Sequence, residues 1–384
     1  MKINKFFLIN SLRILFSTLI SLTASYGFAA EESGTFQAGG QIQLQYVSSD
    51  KKTDQRDSLF FRRLRPFIEG DLYENWKGRL QWDMGKSKVG VKDAYVQYSG
   101  FKNKKLTLGN SKAVFSRAFM TSDSKHQLIE PQFVGENKYG SPDRAMGLRF
   151  EANNASKKFA YAVSVGSENI VPDQDALYFI SPAETPSGAL DLNEGWLMTA
   201  RVDLHPFGSL PLSQGQLKKK TKATISLAAM NWHNDGDNNI HTLENGIDDG
   251  QKKPDVDGVK GYEASAALRW AGFSLDAQYN TLNVSMIAPA VTGGLYKAGK
   301  TTLTQMALEG GYMIWPNRVE LVGGYEIQDA DKYAAKWDRK SAGVNLYLSG
   351  HDIKAQVTYR KSKNVKGKIG DDQDEVFVQT QILF

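Results

Sequence analysis

The sequence predicts an all-β protein whose chain closes into a transmembrane antiparallel β-barrel of about sixteen strands. Three observations favour this fold class: the last strand-like segment alternates and ends on an aromatic residue, similar segments recur along the chain, and the N-terminus has the pattern of an export signal. Side chains of a strand point alternately to opposite faces. A strand that is apolar on one face and polar on the other can therefore contact lipid outside and water inside.

The C-terminal segment Glu375–Phe384 shows the alternation most clearly. One face is apolar apart from a threonine and holds Val376, Val378, Thr380, Ile382 and Phe384. The other face holds Glu375, Gln379 and Gln381 together with Phe377 and Leu383. A terminal phenylalanine on such a strand resembles the C-terminal assembly signal of bacterial outer-membrane β-barrels. Taken alone, the segment is also compatible with the last strand of a soluble sheet.

The N-terminus predicts a secretory signal peptide over residues 1–29, which leaves residues 30–384 as a single barrel domain. It combines a basic start, a short apolar stretch and a small-residue cleavage site: Lys2, Lys5 and Arg13, then Ile14 to Leu22, then Gly27-Phe28-Ala29. The apolar stretch is too short to span a bilayer as a helix. An uncleaved anchor helix is the alternative interpretation.

Composition restricts the remaining classes. Removal of the signal peptide leaves about 355 of the 384 residues, enough for one large barrel or for two or three soluble domains. No later stretch has the roughly 20 apolar residues that a transmembrane helix needs, and a closed barrel is the other way to satisfy backbone polar groups in lipid. The chain has no cysteine, so disulfides do not stabilise it. Its net charge, +5 before removal of three basic residues, gives no indication of a nucleic-acid partner.

Alternating segments recur from Phe36 onward, and many begin or end on Trp, Tyr or Phe, as the interfacial girdles of a membrane barrel require. In the first segment, glutamine occupies one face four times. The pattern predicts strands near 35–47, 60–72, 75–85, 88–100, 103–110, 144–153, 157–166, 194–206, 221–232, 259–271, 272–285, 303–315, 317–328, 339–349, 352–362 and 374–384.

The predicted connections alternate between short and long, which is typical of bacterial barrels with short periplasmic turns and long outer loops. The long connections are 111–143, 167–193, 233–258, 286–302 and 363–373. The segment 207–220 is an exception, because it is long where a short turn is expected. A β-helix or propeller would show a fixed repeat length, and the sequence has none.

The segments FFRRLRPFIEGDLYENW (60–76), VKDAYVQYSGF (91–101) and LTLG (106–109) occur in an order and spacing that strongly resembles the phosphate-selective porin O and P family. The resemblance is clearest over about 36–150 and continues as strand pattern to Phe384. It implies an outer-membrane homotrimer of sixteen-stranded barrels, without a cofactor, in which a loop folds into the lumen. Such porins pass phosphate, polyphosphate or other anions through basic constrictions.

The first long connection, 111–143, is the candidate constriction loop, since charged side chains on an inward-folded loop set ion preference. Guanidinium groups match phosphate oxygens. Arg62 has the parity of a lipid-facing residue, so we expect it at the rim or turned inward by a β-bulge. The residues predicted to line the pore and bind anions are Arg62, Arg63, Arg65, Lys77, Arg79, Lys105, Arg117, Lys125, Arg149 and Arg201.

Acidic residues share these inward faces in about equal number, among them Glu69, Asp71, Asp83, Asp93, Asp203 and Glu263. Opposed charges of this kind are equally compatible with a general diffusion pore. Phosphate-selective members of the family carry a basic residue within the stretch that corresponds to 115–125. Here Phe119 and Met120 lie in that stretch, and Arg117 and Lys125 are only approximate substitutes, which weakens the case for phosphate.

The sequence therefore predicts a porin for passive diffusion of small hydrophilic solutes, with outer-membrane lipid and small ions as partners. A pore predicts charged faces around the whole lumen, whereas the alternative, a plugged adhesin-like barrel, would tolerate an apolar interior. An outer-membrane hydrolase would need a Ser–His pair on the outer wall, and His126, His205 and His351 lie in no recognisable motif of that kind. The five histidines form no metal-binding pattern, so we expect no metal, no catalytic residue and no cofactor.

Overall fold

The computed structural model describes residues 34–50, 56–171, 173–184, 193–218, 220–236, 255–287 and 289–384. The predicted signal peptide, residues 1–29, lies outside these ranges. No helix in the described ranges is long and apolar enough to cross a membrane.

Sixteen of the eighteen described strands form one closed antiparallel barrel, which confirms the predicted fold and strand number. Each barrel strand pairs with its neighbour along the chain, and β18 returns to β1. The barrel strands are β1 (Phe36–Ser49), β2 (Arg56–Tyr73), β3 (Trp76–Asp83), β4 (Gly90–Tyr98), β5 (Lys104–Lys112), β6 (Arg144–Asn153), β7 (Phe159–Ser167), β10 (Gly195–Leu204), β11 (Lys222–Asn234), β12 (Val256–Trp270), β13 (Phe273–Met286), β14 (Lys300–Trp315), β15 (Val319–Asp329), β16 (Trp337–Ser349), β17 (Ile353–Lys363) and β18 (Gln373–Leu383).

Two short strands, β8 (Asn169–Val171) and β9 (Tyr178–Ile180), pair with each other outside the barrel sheet. They lie within the connection 167–193, which the sequence predicted as a loop. Strands of three residues are too short to show an alternating pattern, so the sequence carried no signal for them.

The alternation of side chains gives each strand one face toward lipid and one face toward the lumen. On β18, the outward side chains of Val376, Val378 and Ile382 are exposed, whereas Phe377 and Gln379 are buried inside the barrel. The predicted assignment of the two faces of the last strand is therefore confirmed. The same alternation recurs on β10 to β18 and buries inward-facing polar side chains against segments that fold into the lumen.

The apolar core lies inside the barrel, in the sector of β10 to β14. Inward-facing side chains of these strands, such as Trp232 and Leu282, pack against residues of the long connections, such as Phe115, Phe179 and Tyr296. The expectation of charged faces around the whole lumen is therefore wrong for the long-loop half of this sector, whereas charged side chains such as Arg201 and Glu263 do face inward in its short-turn half. Loops that pack inside the barrel replace water there, so apolar inward faces become favourable.

The first and last strands meet at a closely packed seam. The N–H of Gly40 donates to the carbonyl oxygen of Phe384 at 2.8 Å, and the N–H of Phe384 donates to the carbonyl of Gly40 at 3.1 Å. A Cβ atom built on Gly40 would lie 2.6 Å from the terminal ring of Phe384. The Phe384 ring can therefore pack at the seam only because residue 40 is a glycine.

We expect Gly40→Ala to lower the free energy of unfolding by about 1–3 kcal/mol, because the added methyl group displaces the Phe384 ring from the seam. Urea titration of the refolded barrel, followed by the mobility difference between folded and unfolded protein on a gel, measures the change. Gly323→Ala is the matched control, since a Cβ there meets its nearest atom at 3.6 Å. An unchanged midpoint for Gly40→Ala would show that the ring does not depend on this contact.

Candidate permeation path and constriction

The connection between β5 and β6, residues 113–143, lies inside the lumen. Phe115, Gln127 and Phe133 are fully buried in it, and it runs along the inner wall from β13 to β18. Four wall strands hold it through hydrogen bonds: Ala118 N–H to Gln278 Oε1 (2.9 Å), Phe133 N–H to Glu326 Oε2 (2.8 Å), Asn345 Nδ2 to the Gln127 carbonyl (2.9 Å), and Lys354 Nζ to the His126 carbonyl (2.7 Å).

The start of this loop has its own local structure. Ser116 caps the single-turn helix α1 (Arg117–Met120), because its Oγ accepts a hydrogen bond from the N–H of Phe119 at 3.1 Å. The same hydroxyl donates to the carbonyl of Val134, so the two arms of the loop are joined. A Cβ on Gly135 would lie 2.7 Å from the Cβ of Ala118, so the arms approach too closely for a larger residue.

Gln127 anchors the middle of the loop in a buried polar network. Its Nε2 donates to Ser274 Oγ at 2.6 Å and to Glu320 Oε1 at 2.7 Å. The other oxygen of Glu320 accepts from the Tyr347 hydroxyl at 2.7 Å and from Asn345 at 3.1 Å. A network in which buried polar groups find partners fixes one arrangement, since leaving a member unpaired costs about 1–3 kcal/mol.

The unusually long connection between β10 and β11 also enters the lumen, from the short-turn end. We call its residues 205–218 the periplasmic insert. Gln214 is its main contact with the loop: its Oε1 accepts from the N–H of Gln127 at 2.8 Å, and its N–H donates to the Lys125 carbonyl at 3.0 Å. Its Nε2 donates to Glu309 of β14 at 2.5 Å. The insert and the loop together close the lumen sector beside β12 to β17.

The open space lies on the other side of the lumen. A cavity of about 470 Å³ separates the loop from the inner faces of β1 to β6 and extends to the C-terminal residue at the short-turn end. Its charged lining consists of four basic and three acidic side chains: Arg65, Arg79, Lys112 and Arg144, with Asp93, Asp123 and Asp352. The open space that this cavity marks inside the barrel therefore borders this charged wall.

Three arginines of β2 contact carboxylates of the loop. Arg63 Nε lies 2.9 Å from Asp123 Oδ2, and Arg65 pairs with the same carboxylate. Arg62 binds Glu130 through two hydrogen bonds of 2.6 and 2.8 Å. Burial would raise the pKa of Asp123, but the guanidinium groups of Arg63 and Arg65 outweigh it and hold the pKa well below its usual range.

A β-bulge explains how both Arg62 and Arg63 reach the lumen. The pairing of β1 with β2 shifts between Gln43 and Leu44, which pair with Arg63 and Phe61 and leave Arg62 as the extra residue. Of the two placements expected for Arg62, the structure has the bulge. The ion pair with Glu130 follows from it, since only an inward side chain can reach the loop.

The other arginines beside the cavity are also paired. Arg79 lies between Glu69 and Asp93, and its Nε is 3.2 Å from Asp93 Oδ2. Arg144 Nε approaches the second oxygen of Asp93 to 2.7 Å. Arg149 Nη2 lies 2.7 Å from Glu151 Oε2. Each of these guanidinium groups therefore has a carboxylate partner.

Lys112 differs from these arginines. Its ammonium donates to the backbone carbonyls of Phe119 at 2.5 Å and Thr121 at 3.2 Å, and it lies 4.7 Å from the ring centroid of Phe119. Within the described ranges, no carboxylate lies at ion-pair distance from it. The predicted pore-lining set lacks Lys112. Its parity is that of the exposed Leu108, so strict alternation would turn it outward, and its place within the predicted constriction loop 111–143 is the signal that identifies it.

The rest of the predicted set is divided between distant places. Arg201 and Arg117 lie across the lumen, where Arg201 pairs with Glu263 at 3.0 Å and Arg117 lies 3.6 Å from Asp276. Lys77 is 3.4 Å from Asp71 and its side chain is 64% exposed. Lys105 and Lys125 are exposed. The ten predicted residues therefore form no continuous row. Arg62, Arg63, Arg65, Arg79 and Arg149 lie on the β2–β6 side, and Lys77 and Lys105 are exposed at the short-turn end of the same strands.

The three histidines considered for hydrolysis lie at buried or half-buried positions and not on the exposed outer wall. His351 forms a contact of 3.0 Å from its Nε2 to the Gln214 carbonyl, and burial lowers its pKa to about 3. Burial likewise lowers the pKa of His126 to about 4. His205 lies in the turn after β10 and its pKa is also lowered by burial.

Comparison with protein families shows one match that agrees with the resemblance in the sequence. Residues 36–175 match the family model described as phosphate-selective porin O and P. This range covers β1 to β8 and the whole loop 113–143. No curated protein sequence matches the chain.

Solved structures of outer-membrane porins share the fold at low identity. An anion-selective porin from Comamonas acidovorans is 15% identical, over 92% of this chain and 100% of that chain, with a TM-score of 0.59. OmpF of Salmonella typhi, in complex with daunomycin, is 13% identical over 91% and 97%, with a TM-score of 0.60. OmpT of Vibrio cholerae, in its trimer form, is 10% identical over 92% and 100%, with a TM-score of 0.59.

The family match and the fold point to a channel rather than an enzyme, and they support a place in the bacterial outer membrane. The chain is therefore a sixteen-stranded outer-membrane porin whose residues 36–175 match the phosphate-selective porin O and P family.

Proposed function

We propose that small ions and hydrophilic solutes cross the barrel through the cavity beside β1 to β6, with a weak preference for anions. The observation that carries this proposal is Lys112, whose ammonium lines the cavity without a carboxylate partner in the described ranges. The arginines around it are each neutralised by an ion pair. A lysine without an ion-pair partner beside an aqueous path attracts anions and repels cations, and the longer-range attraction of Asp123 and Asp93 for Lys112 keeps this preference weak.

This arrangement supports a weak preference rather than a tight phosphate site. A phosphate that binds Arg65 or Arg79 in bidentate geometry must displace Asp123 or Asp93, because those carboxylates already occupy the guanidinium groups. Displacement leaves a carboxylate next to the anion, and the two repel each other. We therefore propose that phosphate passes as one of several small anions.

We also infer that the signal peptide is cleaved near Ala29 and that the mature barrel is a homotrimer. The basic start and small-residue site support the cleavage, and the family resemblance supports the trimer. The N-terminal sequence and the mass of the native protein, purified from outer membranes, test both. A retained N-terminus or a monomeric mass would contradict the respective inference.

The second candidate function is a plugged, surface-binding barrel without a conducting path. The filled sector beside β10 to β17 favours it, since the loop, the insert and the apolar core pack against the inner wall there. Conductance separates the two candidates. A plugged barrel gives none, whereas a path beside β1 to β6 gives discrete steps.

We expect Lys112→Gln to lower the ratio of anion to cation permeability by about fivefold or less, because removal of one charge at short range in a hydrated path changes the ion energies by about 1 kcal/mol. The reversal potential of reconstituted protein under a KCl gradient measures the ratio. Lys77→Gln is the control, since its exposed ammonium pairs with Asp71. Equal ratios for wild type and Lys112→Gln would remove Lys112 from the ion path.

Asp123→Asn has the opposite expected effect. The substitution leaves Arg63 without a carboxylate partner and Arg65 with Asp83 alone, so anion permeability rises. The free energy of unfolding falls by about 3–5 kcal/mol, because the Arg63 charge stays buried and uncompensated. Asp71→Asn serves as the exposed control.

The pH dependence of the wild type provides a second test of the same pair. The folded-state pKa of Asp123 is depressed, so its stabilisation is present above the unfolded pKa and disappears as the pH falls through the folded pKa. Since that value lies well below the usual range, lowering the pH from 7 to about 4 should not reproduce the Asp123→Asn phenotype. A rise in anion permeability near pH 4 would show that Asp123 titrates normally.

Gln214→Ala tests the periplasmic insert. The substitution removes hydrogen bonds to Gln127 and Glu309 and leaves buried groups unpaired, so the loop should detach from this side of the lumen. We expect larger conductance steps and more current noise than in the wild type. Ser209→Ala, an exposed position of the same insert, is the control. Unchanged conductance and noise would show that the loop keeps its place without the insert.

A further inference from the structure

Two lysines lie directly opposite each other on the lipid-facing wall of the barrel. Lys340 of β16 and Lys361 of β17 are register partners. Both side chains point outward, because the buried Arg339 and Arg360 beside them point into the lumen. The same outward rows continue with exposed apolar residues, such as Val344 and Val357. The lysines are therefore at the edge of the surface that contacts lipid.

The charge of this pair is only partly compensated. Lys361 is the register partner of Asp374 on β18, and its Nζ lies 3.7 Å from Asp374 Oδ2, an ion pair beyond hydrogen-bond distance. Its side chain is 48% exposed. Lys340 Nζ lies 5.8 Å from the ring centroid of Tyr325 and, within the described ranges, has no ion pair. Like charges directly opposite on neighbouring strands destabilise a sheet unless a third group of opposite sign joins them.

The next outward pair along the same strands shows the contrast. Lys363 is the register partner of Asp338, so opposite charges face each other there. The outward row Tyr325, Lys340, Lys361 and Asp374 therefore holds two lysines against one carboxylate, and an anion from outside the chain would neutralise the excess positive charge.

The depth of the pair indicates where that anion comes from. Tyr325 is the register partner of Lys340, and Tyr359 precedes Lys361 by two residues on the same face. Tyrosine rings at this position form the interfacial girdle of a membrane barrel. Lysine side chains one row beyond the girdle extend their ammonium groups to the level of the headgroups, at the long-loop end of the barrel.

We propose that Lys340 and Lys361 bind the phosphate of a lipid headgroup in the leaflet at the long-loop end. Cβ atoms of directly opposite residues are about 5 Å apart, so both ammonium groups can donate to one phosphate. The acyl chains of the lipid pack on the apolar outward rows below the pair. This site does not depend on conduction, because it lies on the outer wall of the barrel.

Native mass spectrometry of the full-length protein, purified from outer membranes, tests the site. The probes are a bisphosphorylated lipid A and its dephosphorylated form with the same acyl chains. We expect the wild type to retain the phosphorylated form preferentially, and the double variant K340Q/K361Q to lose at least about fivefold of that preference. K77Q, whose lysine lies at the short-turn end, should keep the wild-type preference.

Four outcomes would overturn the inference. Equal retention of both lipids by the wild type, or an unchanged preference in K340Q/K361Q, would show that the lysines do not recognise phosphate. Inorganic phosphate that displaces the lipid at equal concentration would indicate a site for soluble anions. Loss of oligomers by K340Q/K361Q in lipid-free detergent would place the pair against a second copy of the chain. Single-channel conductance of the same variant should equal the wild-type value, which separates a failure here from a failure of the proposed porin function.

Discussion

The structure depends on closure of the sheet between β1 and β18. Backbone N–H and C=O groups find no partners in lipid, so a spanning sheet is stable only when its first and last strands pair. Here the pairing runs from Gln41 with Leu383 to Ser49 with Glu375. Closure produces an inner face on which glutamine, asparagine and charged residues alternate with outward apolar ones. Those inward polar groups then bind the backbone of the loop 113–143 and of the periplasmic insert, which divides the lumen into a filled and an open side.

Charge compensation determines what the open side can do. Arginine side chains of β2, β3 and β6 are paired with carboxylates of the wall or the loop, so their positive charge fixes the loop as much as it attracts ions. Asp123 both fixes the loop and contributes charge to the cavity, because it binds Arg63 and Arg65 and also lines the cavity. In the proposed function the net selectivity then depends on Lys112, which binds backbone carbonyls instead. A basic wall is thus compatible with weak selectivity, since carboxylates of the protein neutralise most of its positive charge.

The sequence predicted the barrel, its strand number and the faces of β18, because closed membrane sheets force a strict period-two pattern. It also predicted that a bulge could turn Arg62 inward, since the run Phe61-Arg62-Arg63 breaks the parity. It did not predict that 205–218 enters the lumen, because only its excess length is visible without the partners of Gln214. The apolar sector at Trp232 and Leu282 was also not predicted, since alternation does not show which loops fill a lumen. The carboxylate partner of each arginine could not be predicted from the sequence, because residues distant in the chain meet only in the folded barrel.

The central claim is that the wild-type barrel conducts beside β1 to β6 with a weak anion preference. The most direct test is the reversal potential of single wild-type channels in a planar bilayer under a KCl gradient, repeated with added phosphate. The account predicts discrete conductance steps, a reversal potential displaced slightly to the anion side, and little block by phosphate. Folded protein that gives no conductance, or a clear preference for cations, would contradict it.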